Sequence, residues 1–90
     1  MNVQITLHKT HRQFTGDQET IEVTGDTVGQ CFADLIGRFP ALEKELFSKK
    51  NTLKSNLEVY LNGESAYPNE LKKPVKDGDH IHLTVMLAGG

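Results

Sequence analysis

Residues 25–40, GDTVGQCFADLIGRFP, carry the main helical pattern of the chain, and the segments on either side must be arranged so as to cover it. Gly25-Asp26 breaks the preceding segment. Thr27 with Gln30 three residues later fits a capping box, in which each side chain satisfies an unpaired backbone N–H at the other end. Val28, Cys31, Phe32, Leu35, Ile36 and Phe39 then recur at spacings of three and four, which puts them on one face, while Gln30, Asp34 and Arg38 fall on the other. The spacing predicts a helix that starts near Val28 and is closed by Pro40.

Upstream, Val3, Ile5 and Leu7 alternate with Asn2, Gln4, Thr6 and His8, and Ile21 and Val23 alternate with Glu22 and Thr24. Period-2 alternation is the signature of strands with one buried face. Residues 9–18, with Gly16-Asp17 as a turn signal, are short enough to join the two strands as an antiparallel hairpin with a long loop. Downstream, residues 41–47 fit a second short helix with Leu42 and Leu46 facing inward, before a polar stretch over residues 48–56. Leu57, Val59 and Leu61 make a third strand. Asn62-Gly63 is a turn signal, because both residues tolerate positive φ, and a short return strand is expected within residues 64–67. Pro68 and Pro74 mark irregular chain anchored by Leu71 and Val75, and Asp77-Gly78-Asp79 turns into a last strand that buries Ile81, Leu83 and Val85.

The economical way to bury these faces together is a sheet wrapped over one main helix, so the expected class is α+β, with a mixed sheet of four to five strands. A domain of 90 residues buries only about 60–65 per cent of its unfolded surface. Such a thin core leaves little room for a substrate pocket, which favours a binding or carrier module over a self-contained enzyme. Net charge is −2 with acids and bases interleaved, so no single-sign field attracts nucleic acid or a membrane surface. The lysines gather in two groups, Lys49-Lys50 with Lys54 and Lys72-Lys73 with Lys76, read first as solvated surface. A single cysteine, no Cys-x-x-Cys pair, no signal-peptide pattern and no long apolar run lead us to expect a soluble chain in the reducing cytoplasm.

The unusual feature is the ending, Met86-Leu87-Ala88-Gly89-Gly90, directly after an apolar strand. Two final glycines arise by chance about once in 200 sequences. Gly-Gly has no side chain to obstruct a narrow channel, so residues 88–90 read as a flexible tail on a domain of residues 1–87. The α-carboxylate is ionised at neutral pH and is able to attack the α-phosphate of ATP, whereas without such activation it acylates nothing.

Val3-Gln4-Ile5-Thr6-Leu7, Gly25-Asp26-Thr27-Val28-Gly29, Val59-Tyr60-Leu61-Asn62-Gly63, Val75-Lys76-Asp77-Gly78-Asp79 and the ending Leu87-Ala88-Gly89-Gly90 form an ordered set. In that order they resemble the ubiquitin-like sulfur carrier proteins, which include the molybdopterin synthase small subunit, the thiamine-pathway carrier and the actinobacterial carrier for cysteine synthesis. The resemblance implies a ubiquitin-like β-grasp fold with the first and last strands parallel neighbours at the centre of the sheet. It implies a carrier that catalyses nothing and binds no cofactor. A ubiquitin-activator-like adenylating enzyme spends ATP on Gly90, a sulfur donor converts it to a thiocarboxylate, and a biosynthetic acceptor enzyme takes the sulfur. Met86, Leu87, Ala88 and Gly89 are then the segment held in each partner's channel, and the sheet face near Thr84 and Met86 is a docking surface. Val85-Met86-Leu87 stands where the molybdopterin synthase subunit usually has a proline pair, and residues 12–18 look more like the cysteine-synthesis carrier. Cysteine and molybdopterin synthesis are the favoured pathways. The alternatives are a protein modifier joined through Gly90 to lysines, and a β-grasp interaction domain whose tail is incidental.

Other reactive residues have plainer readings. Cys31 lies in the apolar stripe of the helix and behaves there as a small hydrophobe. His8, His80 and His82 fall on the face opposite the core; neighbouring first and last strands would let them cluster around a metal, but a solvated polar face is the commoner outcome, and no metal site is assigned. Asp77 and Asp79 are turn residues rather than an acid–base pair. No phosphate-binding glycine loop is present, so ATP belongs to the partner.

Overall fold

In the computed structural model, which describes residues 1–86, the first two strands, β1 (Asn2–Thr6) and β2 (Thr20–Thr24), pair antiparallel. Val3 lies opposite Val23 and Ile5 opposite Ile21, and all four are buried, as the alternation requires. The connection between them is more than a loop. Lys9–Phe14 form a 3-10 helix entered through His8, and this helix buries His11. Thr15 closes it, with its hydroxyl near the carbonyl oxygens of Arg12 and Gln18 at 3.1 and 2.9 Å.

Helix α1 (Val28–Arg38) begins where the sequence predicts. Thr27 Oγ1 accepts the Gln30 N–H at 3.1 Å. The reciprocal bond falls one residue early, with Gln30 Oε1 accepting the Asp26 N–H at 2.7 Å. Val28, Cys31, Phe32 and Leu35 are fully buried, while Ile36 and Phe39 are half-buried at the margin of the core. The short helix α2 (Leu42–Leu46) follows with Leu42 and Leu46 buried. Next comes a feature absent from the sequence reading, a two-stranded hairpin of β3 (Phe47–Lys49) and β4 (Thr52–Leu53) within the polar stretch. It is anchored by Phe47, whose ring meets Phe32 edge-on with centroids 6.4 Å apart, and it turns through Asn51 at φ 60°.

The remaining strands are β5 (Leu57–Leu61), β6 (Glu64–Ser65) and β7 (His80–Val85). The return strand is shorter than expected, but the Ala66 N–H still reaches the Val59 carbonyl at 2.9 Å. The five-stranded sheet has the order β2-β1-β7-β5-β6, with β7 parallel to β1 and antiparallel to β5. This is the ubiquitin-like β-grasp arrangement, α+β, with one main helix across the sheet. Val85 and Leu61 are half-buried rather than fully enclosed.

Two carboxylates stitch the layers together. Asp34 on α1 accepts from Arg38 at 2.8 Å and from the Thr24 N–H at 2.9 Å, tying the helix to the end of β2. Those bonds, the arginine's first, hold its carboxyl below the usual carboxylate range. Asp79 accepts from Asn62 Nδ2 at 3.0 Å and from the Lys76 N–H at 2.7 Å, and these two donors depress it likewise.

Two glycines of α1 have opposite surroundings. A Cβ at Gly29 would lie 2.9 Å from the Leu71 carbonyl oxygen, because the 3-10 turn Glu70–Lys72 packs directly on the first turn of the helix. A Cβ at Gly37 would meet nothing within 4 Å. We expect Gly29→Ala to destabilise the fold by about 1–3 kcal/mol through overpacking. Gly37→Ala should stabilise it by about 0.5–1 kcal/mol. Urea denaturation midpoints of the two variants should therefore move in opposite directions.

Because the folded values of Asp34 and Asp79 are depressed, their contribution is complete above the unfolded carboxylate pKa of about 4 and is lost as pH falls through the folded values. A variant carrying Asp34→Asn and Asp79→Asn should be less stable than the parent at pH 7. It should also lose less stability between about pH 4 and pH 2 in thermal melts.

Candidate functional site

The placement of Met86 is set from the far end of β7. Gly78 turns at φ 89°, Asp77 Oδ1 accepts the Asn2 N–H at 2.8 Å, and the Gly78 N–H donates to the Asn2 carbonyl at 2.8 Å. Asn62 reaches across from β5, taking the His80 N–H on Oδ1 at 2.9 Å while its amide donates to Asp79. Both aspartates are occupied in holding backbone at a turn. Ile81 and Leu83 then lock the strand into the core at 0% exposure.

Val85 pairs with Leu57, and the Met86 N–H donates to the Asn56 carbonyl at 2.7 Å. Met86 is the last described residue, 47% exposed, just past the end of the central strand β7 and next to the start of β5. The sequence-assigned residues Leu87, Ala88, Gly89 and Gly90 lie outside the described residues, as does the proposed boundary between residues 87 and 88.

The outer sheet face beside this exit is polar and cross-linked. Glu58 receives Thr84 Oγ1 on one carboxylate oxygen at 3.2 Å and Tyr60 OH on the other at 3.3 Å. His82 lies opposite Tyr60, and His80 stacks along it with ring centroids 6.2 Å apart and planes within 15°. His80 Nε2 also bonds the buried Thr6 hydroxyl, which meets Thr20 Oγ1 at 3.0 Å. Tyr60, Asn62, Gly63, His80, His82 and Thr84 line a shallow depression of about 460 Å³.

His8 does not join the other two histidines. Strand β1 stops at Thr6, and His8 turns into the 3-10 helix, where its Nδ1 bonds Thr10 Oγ1 at 2.8 Å and its ring meets His11 at 6.3 Å. Among the described residues no group of three or more His, Cys, Asp or Glu is placed to hold a metal. Cys31 is fully buried, and burial pushes its thiol pKa up, so the nucleophilic thiolate is disfavoured. His11, not singled out from the sequence, is 5% exposed with Nδ1 lacking a hydrogen-bond partner, and burial lowers its pKa. Only its place in an irregular polar stretch hinted at it, and that signal is too weak to find a buried imidazole.

The arrangement holds Met86, the last described residue, at a fixed point of the surface beside a polar sheet face. Comparison with known proteins gives the family. Over the full length of both chains, 93 aligned residues, this one is 28% identical to the sulfur carrier protein CysO of Mycobacterium tuberculosis. It is 35% identical over 71 residues, 78% of each chain, to small archaeal modifier protein 1 of Haloferax volcanii. Among solved structures, the Amycolatopsis orientalis BexX/CysO complex contains a chain that superposes with a TM-score of 0.87 at 28% identity, covering 98% of this chain and 99% of that one. The model of the ThiS family matches residues 5–90, so the chain belongs to that family of ubiquitin-like sulfur carriers.

Proposed function

We propose that Gly90 is the working group of this chain and that its carboxylate carries sulfur. The observation that supports this most directly is that the family match runs to residue 90 and takes in Gly89-Gly90. Carriers of this type are small co-substrates rather than catalysts. In the proposed cycle a carboxylate oxygen attacks the α-phosphorus of ATP in a ubiquitin-activator-like adenylating enzyme, and pyrophosphate leaves. A reduced sulfur donor then displaces AMP, forming the C–S bond of a thiocarboxylate. A biosynthetic acceptor enzyme takes that sulfur. ATP is bound and used by the partner, and the carrier holds no cofactor of its own.

Met86, Leu87, Ala88 and Gly89 serve as the segment held in partner channels; four residues beyond Met86 span about 13 Å when extended. The Glu58–Thr84 face beside Met86 supplies a docking surface for the body of the domain. The Amycolatopsis orientalis relative was solved in a complex, which supports protein partners for this chain as well. Cysteine synthesis is the favoured destination, on the full-length likeness to CysO, with molybdopterin synthesis next. No helix among the described residues is long and apolar enough to cross a membrane. We place the cycle in the reducing cytoplasm on the chain's single cysteine. The likeness to small archaeal modifier protein 1 favours a second reading, in which the same adenylate is captured by a lysine of another protein as an isopeptide bond.

Intact mass spectrometry after incubation with ATP, a sulfide donor and the host's adenylating enzyme should show a gain of about 16 Da, one oxygen exchanged for sulfur. Deleting Gly90 should abolish the gain while leaving the far-UV circular dichroism unchanged. An unmodified mass with an adenylating enzyme proven active on another carrier would refute the sulfur-carrier reading, and lysine-linked conjugates without a thiocarboxylate pool would replace it with the modifier.

A further inference from the structure

A second surface reaches Glu58 at the margin of the histidine face and extends from there along α1. An open groove runs between α1, the β3–β4 hairpin and the segment leading into the 3-10 turn Glu70–Lys72, with Met86 on its lining. Its apolar parts are the outer sides of Ile36, Phe47, Leu53 and Leu71, which pack on the core without being enclosed by it. The groove has a volume of about 1690 Å³, well beyond the roughly 300–1,000 Å³ of a small-molecule site. Its size suits a length of polypeptide.

Two further observations bear on what that polypeptide is. Of the three large hydrophobic side chains conspicuously exposed among the described residues, two line this groove, Tyr67 at 76% and Met86 at 47%. Tyrosine and methionine at such exposure are the residue types enriched where proteins meet. The charge is also inverted relative to the rest of the molecule. Five lysines against three glutamates line the groove, in a chain whose acids outnumber its bases by 12 to 10.

The first lysine group read from the sequence, Lys49-Lys50 with Lys54, lines this groove whole, and Lys72 joins it from the second. Lys49 and Lys50 sit at the tip of the hairpin, Lys54 at its base, and Lys72 on the opposite side. Both ion pairs among the described residues are made by arginines, Arg12 with Glu19 and Arg38 with Asp34, so neither engages a lysine of this rim. The hairpin is held at Phe47 and Leu53 while its lysine-bearing tip is exposed, which carries cationic groups out over an apolar floor.

We propose that this groove docks an extended acidic segment of a partner protein, with apolar side chains on the floor and carboxylates against Lys49, Lys50 and Lys54. The proposal does not depend on the chemistry at Gly90. A random peptide display library screened against the whole chain tests it. Enriched peptides should interleave acidic with apolar residues, and amide shift changes on binding should fall at Ile36, Leu53 and Leu71 and spare His80 and His82. Affinity should drop about tenfold or more in a variant carrying Lys49→Glu, Lys50→Glu and Lys54→Glu, and should weaken with added salt. Tyr67→Ala, an exposed position, should weaken the same peptides without altering the melting temperature. Absence of binders, enrichment without acidic residues, or binding at the histidine face would overturn the proposal. So would a dimer in sedimentation equilibrium that the triple variant abolishes, since that result assigns the groove to a second copy of the chain.

Discussion

The parallel pairing of β1 with β7 is the constraint from which the rest follows. Parallel neighbours cannot be joined by a tight turn. The chain between Thr6 and His80 therefore makes the connection by a long route, laying down β2, β5 and β6 in the same sheet and carrying α1 across it on the way. Ile5 lies beside Ile81 in this pair, both at 0% exposure, so the first and last strands meet inside the core. A slip of one residue in β7 would turn His82 inward and Leu83 outward. The burial that stabilises the fold thus also sets where Met86 leaves it. The Asn62–Asp79 hydrogen bonds act at the other end of the strand, where they fix the turn before β7 and join it to β5.

Where burial is periodic, the sequence was legible. The strands around Val3–Leu7, Ile21–Val23, Leu57–Leu61 and Ile81–Val85, the helix from Val28 and the inward Leu42 and Leu46 all appear in place, because each is specified by its own alternating or three-and-four spacing. The order of strands was not periodic information and came from resemblance. The 3-10 helix of residues 9–14 was missed because it buries little besides His11, an imidazole in a run of polar residues. The β3–β4 hairpin was missed for a related reason. Its tip is Lys49-Lys50-Asn51, which reads as loop, and what holds it is one tertiary contact, Phe47 on Phe32. His8 was read on the outer face with His80 and His82 and leaves it through a boundary, since β1 ends two residues before it and a strand-face argument no longer applies.

For the candidate site, the sequence pointed to a tail that lies outside the described residues and was silent on its surroundings. Gly89-Gly90 stood out in the sequence because a residue without a side chain is uninformative to a core and useful to a channel. The surroundings of the exit did not stand out. Glu58, Tyr60 and Thr84 come from two strands and converge only through the β5–β7 register, and Lys72 lines the same groove as the hairpin lysines only because the Glu70–Lys72 turn packs on α1.

In the proposed cycle the reacting end is two glycines, and two glycines carry no information by which one enzyme is told from another. An adenylating enzyme and an acceptor must both admit the same carboxylate, so discrimination has to be made by the folded body. This molecule offers two bodies of contact of different character. One is the sheet face of Glu58, Tyr60, His80, His82 and Thr84, polar and preorganised by its own hydrogen bonds. The other is the groove, apolar at its floor and cationic at its rim. Met86 borders both, half-exposed, with its backbone held to Asn56. A carrier that must be released after each visit gains from surfaces of modest area that share one exit point, because each partner then reads a different face while reaching the same carboxylate.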